Sequence, residues 1–268
     1  MSPALSMNSK YLGRKSGARV YFIGAGPGDP ELLTIKAAGI IKKADIIIYA
    51  GSLINKDILK SARKDARIYD SGTMNLEEVL GVIEKVKSSG KIIARIHSGD
   101  PSIYGAIQEQ MDWCERQGID YSVIPGVSSF QAASASLRQE LTLPGVSQTV
   151  ILTRISGRTA VPAKENLQKL AEIKATLVIF LSIDRIKSVV KKLEKNYGLD
   201  TPAAVIEKVS FPEERKITGT LGDIAKKVKE AGITRQAIII VGDILKKKYQ
   251  KSKLYDKYFE HMFRKKGK

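Results

Sequence analysis

The chain has 268 residues, 43% of them hydrophobic and 27% charged, with a formal net charge of +17 at pH 7. That length accommodates two domains, and that composition excludes collagen-like, low-complexity and disordered classes. A single cysteine, Cys114, excludes an internal disulfide framework and every multi-cysteine metal site, and reads as a packed thiol in a reducing compartment. No apolar run reaches the ~18 residues of a membrane helix. The N-terminus lacks a charged segment followed by an apolar one, so no signal peptide is expected and the protein is predicted to be soluble and cytoplasmic. Part of the positive charge lies in a lysine-rich tail over 246–268. Such a surface attracts nucleic acid, an anionic membrane or a small polyanion, or simply keeps a face solvated.

Residues 1–17 are polar and unpatterned, a leader without expected structure. An apolar run, Ala18–Ile23, reads as the first strand; it enters the turn Gly24-Ala-Gly-Pro-Gly-Asp-Pro30 and then a helix over 31–41. A dinucleotide fingerprint fits this turn badly. The third glycine position holds Asp29, which removes close helix–strand packing and repels a pyrophosphate. Ile46–Tyr49 is the second strand, followed by a short helix and strand over 58–68. A helix begins after Asn75, a good N-cap. The run Lys91–Ile96 is a buried strand that opens into Ser98-Gly99-Asp100-Pro101, and Pro101 suits the first turn of a following helix. Strand, turn and small-residue helix recur over 121–137. Strand–turn–helix repeats of this kind predict a mainly parallel α/β domain over 18–144, with ligands held at the carboxyl edge of its sheet.

Leu143-Pro-Gly145 reads as a hinge to a second α/β domain over 145–245. Strands are expected at 149–153, 175–182, 203–209, 215–220 and 237–241, with helices near 164–173, 184–197 and 221–231. A polar turn at Pro212–Arg215 suggests a hairpin, hence a mixed sheet. A ligand cleft between the two domains is the default expectation.

Three turns of the first domain, Gly24–Pro30, Ser98-Gly-Asp-Pro-x-x-Tyr-Gly105 and Pro125-Gly-Val-Ser-Ser129, resemble in order and spacing those of the tetrapyrrole methylase superfamily. The likeness extends through Val178–Leu181 and Thr234–Ala237, over roughly residues 18–245. Tyr49–Leu53, Tyr104–Met111, Gln148–Arg154, Gly157-Arg-Thr159 and Val161-Pro162 are similar to its precorrin-4 C11-methyltransferase subgroup, the cobalt-precorrin-4 enzymes included.

The resemblance implies methyl transfer from S-adenosylmethionine to an anionic corrinoid, leaving S-adenosylhomocysteine, by a homodimer; two histidines, His97 and His261, leave little for metal ligation, and no metal is expected. It implies cofactor contacts at Pro27, Ser98, Gly99, Asp100, Ile103, Ser128, Ser129, Leu181, Val209 and Ala237. Tyr104 is the catalytic candidate, and Ser52, Met74, Arg154 and Arg158 are the substrate-side candidates, the arginines because a guanidinium pairs carboxylate bidentately. Each has a plainer alternative: Asp100, Ser128 and Ser129 as helix caps, the arginines as exposed loop cations. His97 reads as a packed strand-end residue. A methylase of another ring position and an RNA ribose methyltransferase of the same superfamily remain the alternatives. Nucleic acid is the less expected partner, and a membrane is not expected.

Overall fold

Five short runs build the first sheet of the computed structural model, which describes residues 17–246 and 248–265. They are β1 (Arg19–Gly24), β2 (Ile46–Tyr49), β3 (Arg67–Asp70), β4 (Ile92–His97) and β5 (Asp120–Ile124). The order is β3-β2-β4-β1-β5, and every neighbouring pair is parallel. The most apolar runs fall on the buried central strands, whereas β3 and β5 are more polar edges, as a sheet covered on both faces requires. One face packs Ile23, Ile47, Ala94 and Ile96 against α1 (Ile35–Ile41). The other packs Val20, Phe22, Ile48 and Ile93 against α2 (Leu76–Glu84) and α3 (Gln108–Arg116), where the fully buried Cys114 and the neighbouring Trp113 sit. Asn75 caps α2 as expected, within a reciprocal capping box with Glu78.

Two helices begin later than the sequence suggests. After Pro30 a single 3₁₀ turn intervenes before Thr34 caps α1. After Pro101 the chain stays in turns until α3, because Tyr104 (φ 56°) and Ala106 (φ 50°) take left-handed conformations that no helix tolerates. The leader, up to residue 16, lies outside the described residues.

Two compact units divide the chain, residues 1–128 and 129–268. The second unit starts earlier than the Leu143-Pro-Gly145 hinge. Its first helix, α4 (Ser129–Leu137), buries Ala132 and Ala133 with Val178, Ile206 and Ile240 of the second sheet, so small residues allow a helix that looked like part of the first domain to pack here. The second sheet comprises β6 (Val150–Arg154), β7 (Thr176–Phe180), β8 (Pro202–Glu207), β9 (Arg215–Thr220) and β10 (Ala237–Val241). It is mixed, in the order β6-β7-β10-β8-β9, with only β6 and β7 parallel. Alternate residues Leu177, Ile179, Val205 and Ile239 face the other way, against α5 (Leu167–Ala171), α6 (Ile186–Tyr197) and α7 (Ile224–Glu230).

The described part of the tail is largely exposed and folds on itself, with Arg264 donating to the carbonyls of Leu254, Asp256 and Phe259. Among the described residues no helix is long and apolar enough to cross a membrane.

Candidate active site

At the carboxyl edge of the first sheet, β1, β4 and β5 each run into a glycine turn. A Cβ on Gly24 would lie 2.6 Å from both the Cα of Gly126 and the carbonyl oxygen of Gly99. One on Gly126 would lie 2.3 Å from that same oxygen, so backbone meets backbone and only glycine fits. Gly26 and Gly99 clasp each other through two main-chain hydrogen bonds, 3.2 and 2.8 Å, and both have positive φ. The result is a cradle of main-chain groups at the place where open α/β sheets take ligands. Pro27 is buried within it, and Ser98 is half-buried at the end of β4.

Asp100 ties the cradle together. Its carboxylate accepts from the amides of Ser102 (2.8 Å) and Gly126 (2.9 Å) and from the Ser102 hydroxyl, joining the β4 and β5 turns. Partial burial opposes its ionisation, but these hydrogen bonds prevail and hold the carboxyl below its usual value. It therefore stays charged at neutral pH and presents a fixed negative group beside the turns.

Behind the turn lies a buried polar pair that the sequence did not single out as one unit. Arg95 is 7% exposed and donates from Nε to Gln110 Oε1 (3.0 Å), while Gln110 Nε2 donates to the Ala106 carbonyl (3.0 Å). His97 is buried, as expected, and hydrogen-bonds the backbone of Gly105. Its Nε2 has no partner among the described residues. Burial, and then the charge of Arg95, push its imidazole down to about 3, so it is neutral at physiological pH. Arg95 and His97 thus hold, from the sheet, the segment that Tyr104 and Ala106 strain. Gly105 within it cannot carry a side chain, because a Cβ would lie 2.1 Å from the Pro101 carbonyl oxygen. Ile103 is half-buried on this segment, and Tyr104 is 45% exposed. Residues held in sparsely populated backbone regions cluster at functional sites.

Met74 follows β3 and packs partly buried against the core of the first unit. Ser52 lies in a 3₁₀ turn after β2, and its side chain lies outside the described residues. Ser128 is buried at the end of the first unit, and Ser129 opens α4 in the second.

In the second unit the expected residues share one edge of the sheet. Leu181 follows β7, Val209 follows β8, and Ala237 begins β10; the antiparallel register brings these three ends together. Arg154 ends β6 on the same edge, paired in register with Phe180. Left-handed conformations crowd this edge: Leu181 (φ 49°), Lys208 (φ 45°), Ser210 (φ 63°) and Gln236 (φ 52°). Leu181 is 63% exposed despite its apolar side chain, whereas Val209 is buried. Arg154 donates to the carbonyls of Thr159 (3.1 Å) and Ala160 (2.8 Å), which shapes the loop after β6, and Arg158 is exposed on that loop.

Gly24, Gly126, Arg95 and Gln110 are the residues that sequence reading passed over as site components. The turn glycines were visible, but their mutual contact is not a local property. Arg95 lies within the Lys91–Ile96 strand run, and nothing local marks it as a partner of Gln110.

The profile of the tetrapyrrole (corrin/porphyrin) methylases matches residues 19–225. The chain is 55% identical over 249 residues to the cobalt-precorrin-4 C(11)-methyltransferase of Methanocaldococcus jannaschii, covering 92% of this chain and 96% of that protein. The X-ray structure of a cobalt precorrin-4 methyltransferase superposes with a TM-score of 0.83 at 39% identity, covering 90% of this chain and 99% of the other. The Thermus thermophilus uroporphyrin-III C-methyltransferase complexed with S-adenosylhomocysteine gives a TM-score of 0.72 at 26% identity, covering 87% and 96%. With the three glycine turns in place and a match spanning both sheets, the chain belongs to the tetrapyrrole (corrin/porphyrin) methylases.

Proposed function

We propose that the protein is an S-adenosylmethionine-dependent C-methyltransferase acting at C11 of cobalt-precorrin-4 in cobalamin biosynthesis. The relative at 55% identity bears that activity in its name, which supports the cobalt form of the acceptor over the metal-free ring. The observation that carries the methyl-donor reading is the glycine cradle, where Gly24 and Gly126 exclude side chains against the Gly99 carbonyl and leave main-chain groups facing a ligand. S-adenosylmethionine held there would supply an electrophilic methyl to the electron-rich C11, with S-adenosylhomocysteine as the leaving group.

The chain's own residues bind, align and shield. In the first unit Pro27, Ser98, Gly99, Asp100, Ile103 and Ser128 are the proposed cofactor contacts; in the second they are Ser129, Leu181, Val209 and Ala237. Asp100, kept ionised by its amide and hydroxyl donors, favours a cationic sulfonium electrostatically. Tyr104 is the residue proposed to touch the reacting ring, carried on the strained segment that Arg95 and His97 hold. Ser52, Met74, Arg154 and Arg158 are proposed on the substrate side. Alignment of methyl and carbon and exclusion of water lower the barrier, and the positive charge passed to the ring is discharged by loss of a proton. A cytoplasmic homodimer completes the proposal, and sedimentation velocity tests its oligomeric part.

Calorimetric titration with S-adenosylhomocysteine is the direct test. We expect one molecule bound per chain. Gly126→Ala, whose Cβ would strike the Gly99 oxygen, is expected to weaken binding at least about tenfold while far-UV dichroism is preserved. Absence of binding by the wild type would remove the methyltransferase reading. Assays with cobalt-precorrin-4 and metal-free precorrin-4 then decide the acceptor.

A further inference from the structure

A cavity of about 110 Å³ opens in the second unit at the carboxyl ends of β6 and β7. Three cations line it: Arg154 from β6, and Arg185 and Lys192 from the start and second turn of α6. Arg185, Ser188 and Lys192 follow one another at helical spacing, so one stripe of α6 faces the cavity. Val161, Pro162 and Leu167 contribute apolar lining, and Asn166 adds an amide.

Only one of the three cations has a carboxylate partner among the described residues. Arg154 and Arg185 donate to carbonyl oxygens, of Thr159 and Ala160 in one case and Ser156 in the other, which orients the guanidiniums without cancelling their charge. Asp184, 3.4 Å from Arg185 Nε and itself exposed, is the carboxylate that pairs at this place. Among the described residues no carboxylate pairs with Arg154 or Lys192. The loop is shaped around this arrangement: a Cβ on Gly157 would lie 2.3 Å from Arg185 Nη2. Half-buried cations held close together repel one another, a cost that an incoming anion relieves.

We propose that this cavity receives a carboxylate-tipped side arm of the tetrapyrrole, its methylene stem against Val161, Pro162 and Leu167 and its carboxylate among Arg154, Arg185 and Lys192. The lining matches such an arm in both parts, apolar along the stem and cationic at the tip. The assignment rests on the methyl-transfer reading, and it adds Arg185, Lys192 and Asn166 to the substrate side. Lys192 is the discriminating residue, because it faces the cavity from a regular helix and shapes no loop.

Steady-state kinetics with cobalt-precorrin-4, on the wild type, Lys192→Glu and Lys192→Arg, test it, with S-adenosylhomocysteine titrated into each. Lys192→Glu is expected to raise KM about tenfold or more, with kcat, melting temperature and S-adenosylhomocysteine affinity unchanged. Lys192→Arg is expected to keep the wild-type KM, and addition of salt to raise KM less in Lys192→Glu than in the wild type. An unshifted KM in Lys192→Glu, against a wild type that turns over, overturns the arm pocket alone. An equal fall in S-adenosylhomocysteine affinity also overturns it, by showing that Lys192 acts on the donor site. A wild type that neither binds S-adenosylhomocysteine nor methylates the ring overturns the functional reading and this assignment with it.

Discussion

His97 ends β4 with its imidazole neutral and buried, and acid must therefore weaken the fold. Its folded pKa lies at about 3, below the ordinary histidine value, so the unfolded chain binds the extra proton throughout the interval between the two. Stability is then full above the unfolded value of about 6.5 and falls as pH drops below it, by about 1.4 kcal/mol per unit at most. Urea unfolding at pH 7 and pH 5 should show this contribution as a loss of about 2 kcal/mol that His97→Gln removes. Equal slopes in the two proteins would mean that the imidazole is hydrated in solution. A strand-end histidine was legible in the sequence. Its lack of a second partner was not, because that depends on Arg95, Phe22 and Gly105, which come together only in the folded sheet.

Strands and turns were the legible elements. Apolar runs such as Ile46–Tyr49 and Ala237–Val241 admit little else, and Asn75 marks its helix start through a capping box that local chemistry dictates. The segment after Pro101 was read too simply as helix, since nothing in Tyr104 or Ala106 announces a left-handed backbone. The same holds for Leu181, exposed and left-handed at the end of β7. Leucine carries a penalty of about 1 kcal/mol in that conformation, and glycine gives back a similar amount through the entropy of the unfolded chain. Leu181→Gly is therefore expected to leave the melting temperature within a few degrees of wild type. It should weaken S-adenosylhomocysteine binding several-fold by removing the apolar contact proposed there. Unchanged affinity on calorimetric titration would exclude Leu181 from the donor site.

For the whole molecule the charge of +17 is the property whose meaning composition left open. Arg185 and Lys192 were not singled out in the sequence, and only the fold sets them around a cavity with Arg154. An anionic substrate should then be captured with help from the field of the chain, so KM for cobalt-precorrin-4 is expected to rise severalfold as ionic strength goes from about 0.05 to 0.5 M, while kcat holds. A KM indifferent to salt would assign the charge to solubility. The division into two units likewise escaped sequence reading at its boundary, where α4 follows the first sheet in the chain but shares its core with the second.

The lone cysteine and the lone tryptophan are adjacent on α3, in the core of the first unit. Burial raises the Cys114 thiol to about 11, so a thiol reagent labels it only while that core is open. Indole fluorescence and labelling rate consequently report on one half of the chain, and dichroism reports on both. Two optical channels and one chemical channel, with no engineered probe, separate the opening of the half with the glycine cradle from the melting of the half that holds the cationic cavity.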